Sequence, residues 1–172
     1  MRESTEVSAA AIRELPPSAK VRVLTWNREF PPEAAAALRS LPGAIVVRIA
    51  PCDWCVVCEA TDEDPDGDEC LRAGCQVVAA ADPSVRAIDI SHALCAIEVA
   101  GPRAHELLEK GCGVDLDLAA FPVGDSTGTR FAGVAAILLR TSDDAFRSYV
   151  ARSHRDYVIS WLNDAAAEWR GA

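Results

Sequence analysis

The sequence lacks a long apolar run, which restricts where the chain can function. No stretch approaches the roughly 18 consecutive apolar residues that a membrane-spanning helix needs. Residues 1–15 carry three glutamates and contain no apolar signal-peptide core. We therefore expect a cytoplasmic protein, in which the seven cysteines are thiols or metal ligands rather than disulfides.

Basic residues are also scarce relative to acidic ones. The 172 residues include 17 Lys and Arg against 26 Asp and Glu, which gives a formal net charge of −9. This balance disfavours binding to a nucleic-acid backbone or to an anionic membrane surface, because both need clustered positive charge. Half of the residues are apolar, so a chain of this length can bury its own core.

Strands and helices are predicted to alternate along most of the chain. Residues 1–19 are polar and alanine-rich, so we expect a flexible N-terminal arm followed by a single domain over residues 20–172. Adjacent hairpins predict an α+β fold, with mainly antiparallel sheets and helices packed on one side. The segments predicted to be strands or extended are residues 21–26, 44–50, 54–59, 77–78, 85–90, 94–100, 126–131, 134–140 and 146–151.

Two helices are predicted in the first half of the sequence. Pro31-Pro32 opens the first helix and Pro42-Gly43 closes it. The second is short, from Asp68 to Arg72, because Gly74 follows as a C-terminal stop signal.

Two further helices are predicted in the second half. The third follows Gly101-Pro102, pairs Glu106 with Lys110 one turn later, and ends at Gly111. The last begins at Ser153, with Asp156 completing a weak capping box. Its apolar residues recur at helical spacing and are expected to be buried: Val158, Trp161, Leu162, Ala165 and Trp169.

Five cysteines fall between residues 52 and 75, partly at the two-residue spacing of zinc and iron–sulfur sites: Cys52, Cys55, Cys58, Cys70 and Cys75. The predicted strand opposes this function, because alternate side chains point to opposite faces. Cys52 and Cys58 are then expected on one face and Cys55 on the other, so no single ion binds all three. We interpret these residues as buried thiols, with a Cys-based metal-binding or redox module as an alternative.

An acidic segment over residues 61–69 matches the first half of a calcium loop. Asp62, Asp64, Asp66 and Gly67 fit the pattern, but the twelfth position is Ala73 rather than a bidentate Glu. A solvated acidic turn is therefore predicted.

Other chemical motifs are weak. Gly101-Pro102 lacks the further glycines of a dinucleotide-binding loop. His105 and His154 are expected at the surface, and His92 in a turn. None of the three histidines has a Cys or Ser at a spacing that indicates a nucleophile pair.

Residues 88–124 resemble the gamma subunit of heterotetrameric sarcosine oxidase. The resemblance rests on the strand–Gly-Pro–helix step and on three short motifs: Lys110-Gly111-Cys112, Asp115-Leu116 and Phe121-Pro122-x-Gly124. It continues through Thr129, Arg152-Ser153 and Trp161-Leu162. More distantly, residues 85–169 are similar to the folate-binding domain of the glycine-cleavage T-protein, an aminomethyltransferase, which implies that α+β fold.

This resemblance implies a non-catalytic structural subunit with no cofactor of its own. In that family the alpha subunit holds NAD and a folate-binding domain, the beta subunit carries FAD and FMN, and the delta subunit binds zinc. The complex demethylates sarcosine oxidatively to glycine, passes the one-carbon unit to tetrahydrofolate and forms hydrogen peroxide. A stand-alone folate-dependent one-carbon transferase remains an alternative. The family-motif or interface candidates are Lys110, Gly111, Cys112, Asp115, Phe121, Gly124, Arg152, Ser153 and Trp161.

Overall fold

A computed structural model describes residues 10–25, 29–81 and 85–169. The chain divides into two compact units. The terminal unit comprises Met1–Leu15 and Cys95–Ala172, and the internal unit comprises Pro16–Leu94. No helix among the described residues is long and apolar enough to cross a membrane.

The regular elements follow one another along the chain as a mixture of strands and helices. In chain order they are β1 (Ala11–Glu14), β2 (Ala19–Leu24), α1 (Pro32–Arg39), β3 (Ala44–Ala50), β4 (Asp53–Cys58), α2 (Asp68–Ala81), β5 (Arg86–Asp89), β6 (Leu94–Ala100), α3 (Ala104–Glu109), β7 (Ser126–Phe131), β8 (Val134–Ser142), β9 (Ala145–Ala151) and α4 (Arg155–Ala165). Short 3₁₀ turns lie on either side of α4, at Arg152–His154 and Ala167–Trp169.

The internal unit is a four-stranded antiparallel sheet with two helices on one face. Its strand order is β3-β4-β2-β5. Val21 and Val56 from the sheet share one buried core with Leu38 of α1 and Val78 of α2. This is the split β-α-β arrangement, in which each helix connects two parallel strands that are separated by a third strand.

Helix α2 is longer than the sequence predicted. The prediction of a short helix ending at Arg72, with Val77-Val78 extended, was wrong, because α2 continues to Ala81. Gly74 does not end the helix. It lies buried inside the helix, where a Cβ would make an ordinary van der Waals contact with Leu38 Cδ2, at 3.6 Å.

The terminal unit is a five-stranded sheet, also with two helices in one core. Its strand order is β1-β6-β9-β8-β7. Strands β6 and β9 run antiparallel, as shown by Cys95 Sγ 3.7 Å from Val150 O and Gly101 N 2.9 Å from Asp144 O. The core residues include Ile97, Leu107, Leu138, Phe146 and Leu162.

Strand β1 corrects the expectation of a flexible arm over residues 1–19. Ala11–Glu14 pairs with β6, with Ala11 opposite Ala100. Residues 1–9 of that arm, and Trp26 at the end of a predicted strand, lie outside the described residues. The predicted α+β class, with antiparallel sheets and helices on one side, is confirmed in both units.

Candidate functional site

Three of the motif residues meet in one packed cluster at the end of α3. A Cβ at Gly111 would lie 2.6 Å from Trp161 Cη2 and 2.9 Å from Phe131 Cε2, closer than real Cβ contacts. The Phe131 and Trp161 rings pack edge to face, with centroids 5.2 Å apart. Cys112 forms an isolated antiparallel bridge with Phe131. Gly111 is therefore required by the close approach of α4 and β7.

Lys110 connects α3 to the segment after α4. Its Nζ donates to Ala165 O at 2.8 Å, forms an ion pair with Glu168 and lies 4.1 Å from the centre of the Trp169 ring. The predicted Glu106–Lys110 pair is replaced by this contact, and Glu106 instead lies 3.6 Å from Arg103. The chain turns back after α4 and brings Ala165, Glu168 and Trp169 close to Lys110. Residue spacing along α3 cannot predict this contact.

Asp115 and Phe121 belong to the loop between α3 and β7. Asp115 Oδ1 accepts a hydrogen bond from Asp117 N at 3.0 Å, and Asp117 Oδ1 accepts one from Ala119 N at 2.8 Å. Phe121 N donates to Asp117 O at 2.8 Å, and its ring is buried in the core. Asp115 therefore shapes the loop through an Asx turn, and Phe121 through its backbone bond and buried ring.

Arg140 anchors this loop through hydrogen bonds from its buried guanidinium. The sequence did not predict this role. The side chain is 3% exposed. Its Nη1 donates to Leu116 O at 2.8 Å and Phe121 O at 2.9 Å, while Nη2 donates to Asp143 O at 2.6 Å. A guanidinium carries five donors and suits several carbonyls at once. The sequence signal for this role is an arginine that directly follows the apolar residues of β8.

Gly124 closes the same loop. Its N–H donates to Arg140 O at 2.9 Å, and its φ of +87° is a conformation that favours glycine. A Cβ there would meet no atom within 4 Å, so backbone conformation rather than space selects this glycine.

Arg152 and Ser153 are exposed and lie apart from that loop, in the 3₁₀ turn before α4. The predicted capping box was wrong, because the N-cap of α4 is His154 and no side chain caps it. Arg155 instead bonds Glu14 of β1, with its Nε 2.8 Å from Glu14 Oε2. This bond lowers the pKa of Glu14.

Two of the five clustered cysteines lie in β4, and two others, Cys70 and Cys75, lie in α2. Cys55 and Cys58 are three positions apart in the strand and both are fully buried, whereas Cys52 lies in the turn before it. Burial raises the pKa of Cys55 to about 12. Burial, and then the neighbouring Cys70, raise the pKa of Cys58. Across residues 10–25, 29–81 and 85–169, no group of three or more His, Cys, Asp or Glu side chains is placed to hold a metal.

The acidic segment caps a helix. Asp64 Oδ2 accepts a hydrogen bond from Cys70 N at 2.9 Å, near the start of α2. This and further backbone N–H groups of the same turn lower the pKa of Asp64. The three histidines are exposed, as expected for His105 and His154.

The described geometry is that of a two-unit α+β protein in which the motif residues shape one loop and one helix junction. The chain belongs to the sarcosine oxidase gamma subunit family, whose model matches residues 33–168.

Individual relatives agree with this assignment. The chain is 25% identical over 171 residues to the sarcosine oxidase subunit gamma of Corynebacterium sp. strain P-1, covering 98% of this chain and 80% of that protein. It is equally similar, over the same shares of both chains, to the subunit gamma of an Arthrobacter species. A chain of the heterotetrameric sarcosine oxidase from Corynebacterium sp. U-96 has the same fold, with a TM-score of 0.79 at 20% identity over 98% of this chain and 89% of that one.

Proposed function

We propose that this chain is a non-catalytic structural subunit of a heterotetrameric sarcosine oxidase. The observation that carries the proposal is the family match over residues 33–168. The geometry supports it because Gly111, Phe121 and Trp161 pack inside the terminal unit, where they determine its shape.

In this proposal the chemistry belongs to the partner subunits. The complex demethylates sarcosine oxidatively to glycine, transfers the one-carbon unit to tetrahydrofolate and forms hydrogen peroxide. The alpha, beta and delta subunits are the proposed partners in the cytoplasm. FAD, FMN, NAD, tetrahydrofolate and zinc are bound by these partners, and none by this chain.

The exposed members of the motif set are the proposed contacts with those partners. Arg152 presents a planar guanidinium, which suits a carboxylate on a neighbouring subunit. Leu118 and Val123, in the loop that Arg140 holds, expose 47% and 50% of their surface. An apolar pair on a loop fixed by buried hydrogen bonds is a suitable contact for a larger subunit.

Co-expression tests this proposal. The full chain carrying an affinity tag is produced with the alpha, beta and delta subunits encoded with it, and the purified material is analysed by size-exclusion chromatography with light scattering. We expect a stoichiometric four-subunit complex that oxidises sarcosine and releases peroxide.

The isolated chain is the control. We expect it to self-associate, to leave sarcosine unoxidised and to leave tetrahydrofolate unbound. Turnover or folate binding by the isolated chain would overturn the structural role. Failure of the four chains to copurify would overturn the assignment to this complex.

A further inference from the structure

A cleft in the internal unit lies between α1 and the strands β3 and β4. Its volume is about 230 Å³. Phe30 and Trp54 form an aromatic wall, with ring centroids 6.0 Å apart and planes inclined at 45°. Arg39 at the end of α1 and Arg48 of β3 also line it.

Both arginines are available to a ligand. Arg39 and Arg48 are exposed, and neither forms an ion pair with another described residue, Glu29 in the cleft included. Arg48 lies opposite Trp54 in the pairing of β3 with β4, with its Cζ 5.5 Å from the centre of the indole ring. The register shift just after Arg48 is a bulge, a feature that redirects side chains at sites.

Trp54 supplies an independent observation. Its indole Nε1 is buried and has no hydrogen-bond acceptor, and it is the one such side-chain atom among residues 10–25, 29–81 and 85–169. Buried donors in native proteins are nearly always paired, so this indole N–H marks Trp54, a residue of the cleft lining, as lacking an acceptor among the described residues.

These features determine the chemistry of the occupant. Guanidinium groups pair with carboxylates, and an aromatic wall accommodates a flat or apolar stem. The volume is below the roughly 300–1,000 Å³ of clefts for drug-sized ligands, which excludes a whole dinucleotide or flavin. We propose that this cleft binds a single carboxylate carried on a short, flat or apolar stem.

A carboxylate of this kind has two sources, a free small molecule or an acidic side chain of a partner subunit. The second source rests on the proposed function, and the first does not. The experiment therefore has one arm for each.

In the first arm, the ¹⁵N-labelled full chain is titrated with sodium benzoate at low ionic strength. The Trp54 indole resonance is assigned with Trp54→Phe. We expect benzoate to shift it, with affinity at least tenfold weaker in Arg39→Gln/Arg48→Gln. The control variant Arg72→Gln, an exposed arginine of α2 outside the cleft, should bind as the unmodified chain does. An equal response to benzyl alcohol would overturn the role of the carboxylate.

In the second arm, the double variant and Arg72→Gln are each co-expressed with the partner subunits. A tenfold loss of assembled complex in the double variant alone, without a benzoate response, identifies a partner side chain as the source. The proposal is overturned if benzoate leaves Trp54 unshifted and the double variant assembles normally. If the unmodified chain does not assemble with the partner subunits, the proposed function is overturned. The benzoate titration alone then tests whether the cleft binds a carboxylate.

Discussion

The two units use one architectural plan with different chain connections. In the internal unit the edge strand beside β2 is β5, which follows α2 along the chain. In the terminal unit the corresponding position beside β6 is taken by β1, which comes from the beginning of the chain. The terminal unit also has a long loop between α3 and β7, which the internal unit lacks between α1 and β3. Most of the motif residues lie in that loop and in the elements that support it, so the two units differ most where those residues lie.

The largest expected effect concerns Arg140, which has no counterpart among the described residues of the internal unit. Arg140→Met leaves the carbonyls of Leu116, Phe121 and Asp143 without donors. Hydrogen bonds from a charged group contribute about 1.5–3 kcal/mol each, so we expect a loss of at least about 3 kcal/mol. Urea unfolding followed by circular dichroism measures it. Arg130→Met, at an exposed arginine of β7, is the control, and a loss below about 1 kcal/mol at Arg140 would contradict the structural role of the loop anchor.

Gly111→Ala is expected to have the next largest effect. The added methyl group overlaps Trp161 and Phe131, and overpacking of this kind costs about 1–3 kcal/mol. Gly113→Ala is the matched control, because a Cβ there meets nothing within 4 Å. Trp161→Leu should recover part of the loss in the double variant. Equal stability of the two alanine variants would show that the glycine is not needed for packing.

The buried thiol of Cys55 gives the internal unit a predicted dependence on pH. Its pKa rises from 9.0 to about 12 on folding, so the folded state retains a proton that the unfolded state releases. The protonated thiol makes its full contribution to the free energy of unfolding below pH 9. That contribution is lost as the pH rises toward 12, at up to about 1.4 kcal/mol per pH unit. Urea titrations between pH 8.5 and about pH 10.5 measure the slope. Cys55→Ala should reduce this slope by the share of one thiol, because the buried Cys58 also has a raised pKa, and an unchanged slope would refute the contribution.

The smallest expected effect is at Lys110. Lys110→Met removes the contacts with Glu168 and Trp169, where the lysine side chain is one-third exposed. Partly solvated cation–π and ion-pair contacts contribute about 0.5–1 kcal/mol. We expect a loss of that size, which diminishes in 1 M salt because ions screen the pair. A loss above about 2 kcal/mol would assign Lys110 a larger role than its exposure supports.

The sequence predicted the elements whose signals are local. The strands β3, β6 and β8 follow from short apolar and β-branched runs, and the apolar stripe of α4 follows from helical spacing. The α+β class follows from their order.

The features that the sequence did not predict depend on contacts between distant parts of the chain. Strand β1 is short and mostly exposed, so only its pairing with β6 identifies it. Gly74 signals a helix end by its type, yet it lies buried within α2, close to Leu38 of α1. The role of Arg140 depends on the positions of the Leu116 and Phe121 carbonyls, which the sequence alone does not give.

The central claim is that the motif residues give this chain its shape and that catalysis takes place on its partners. The most direct test measures kcat for sarcosine in the assembled complex with the exposed motif pair replaced, as Arg152→Ala/Ser153→Ala, beside Gly111→Ala. The account predicts a kcat per assembled complex within twofold of the unmodified value for both variants, with less complex recovered in each case, because Arg152 and Ser153 are proposed partner contacts and Gly111 shapes the terminal unit. A hundredfold fall in kcat, in complexes that assemble fully, would contradict it.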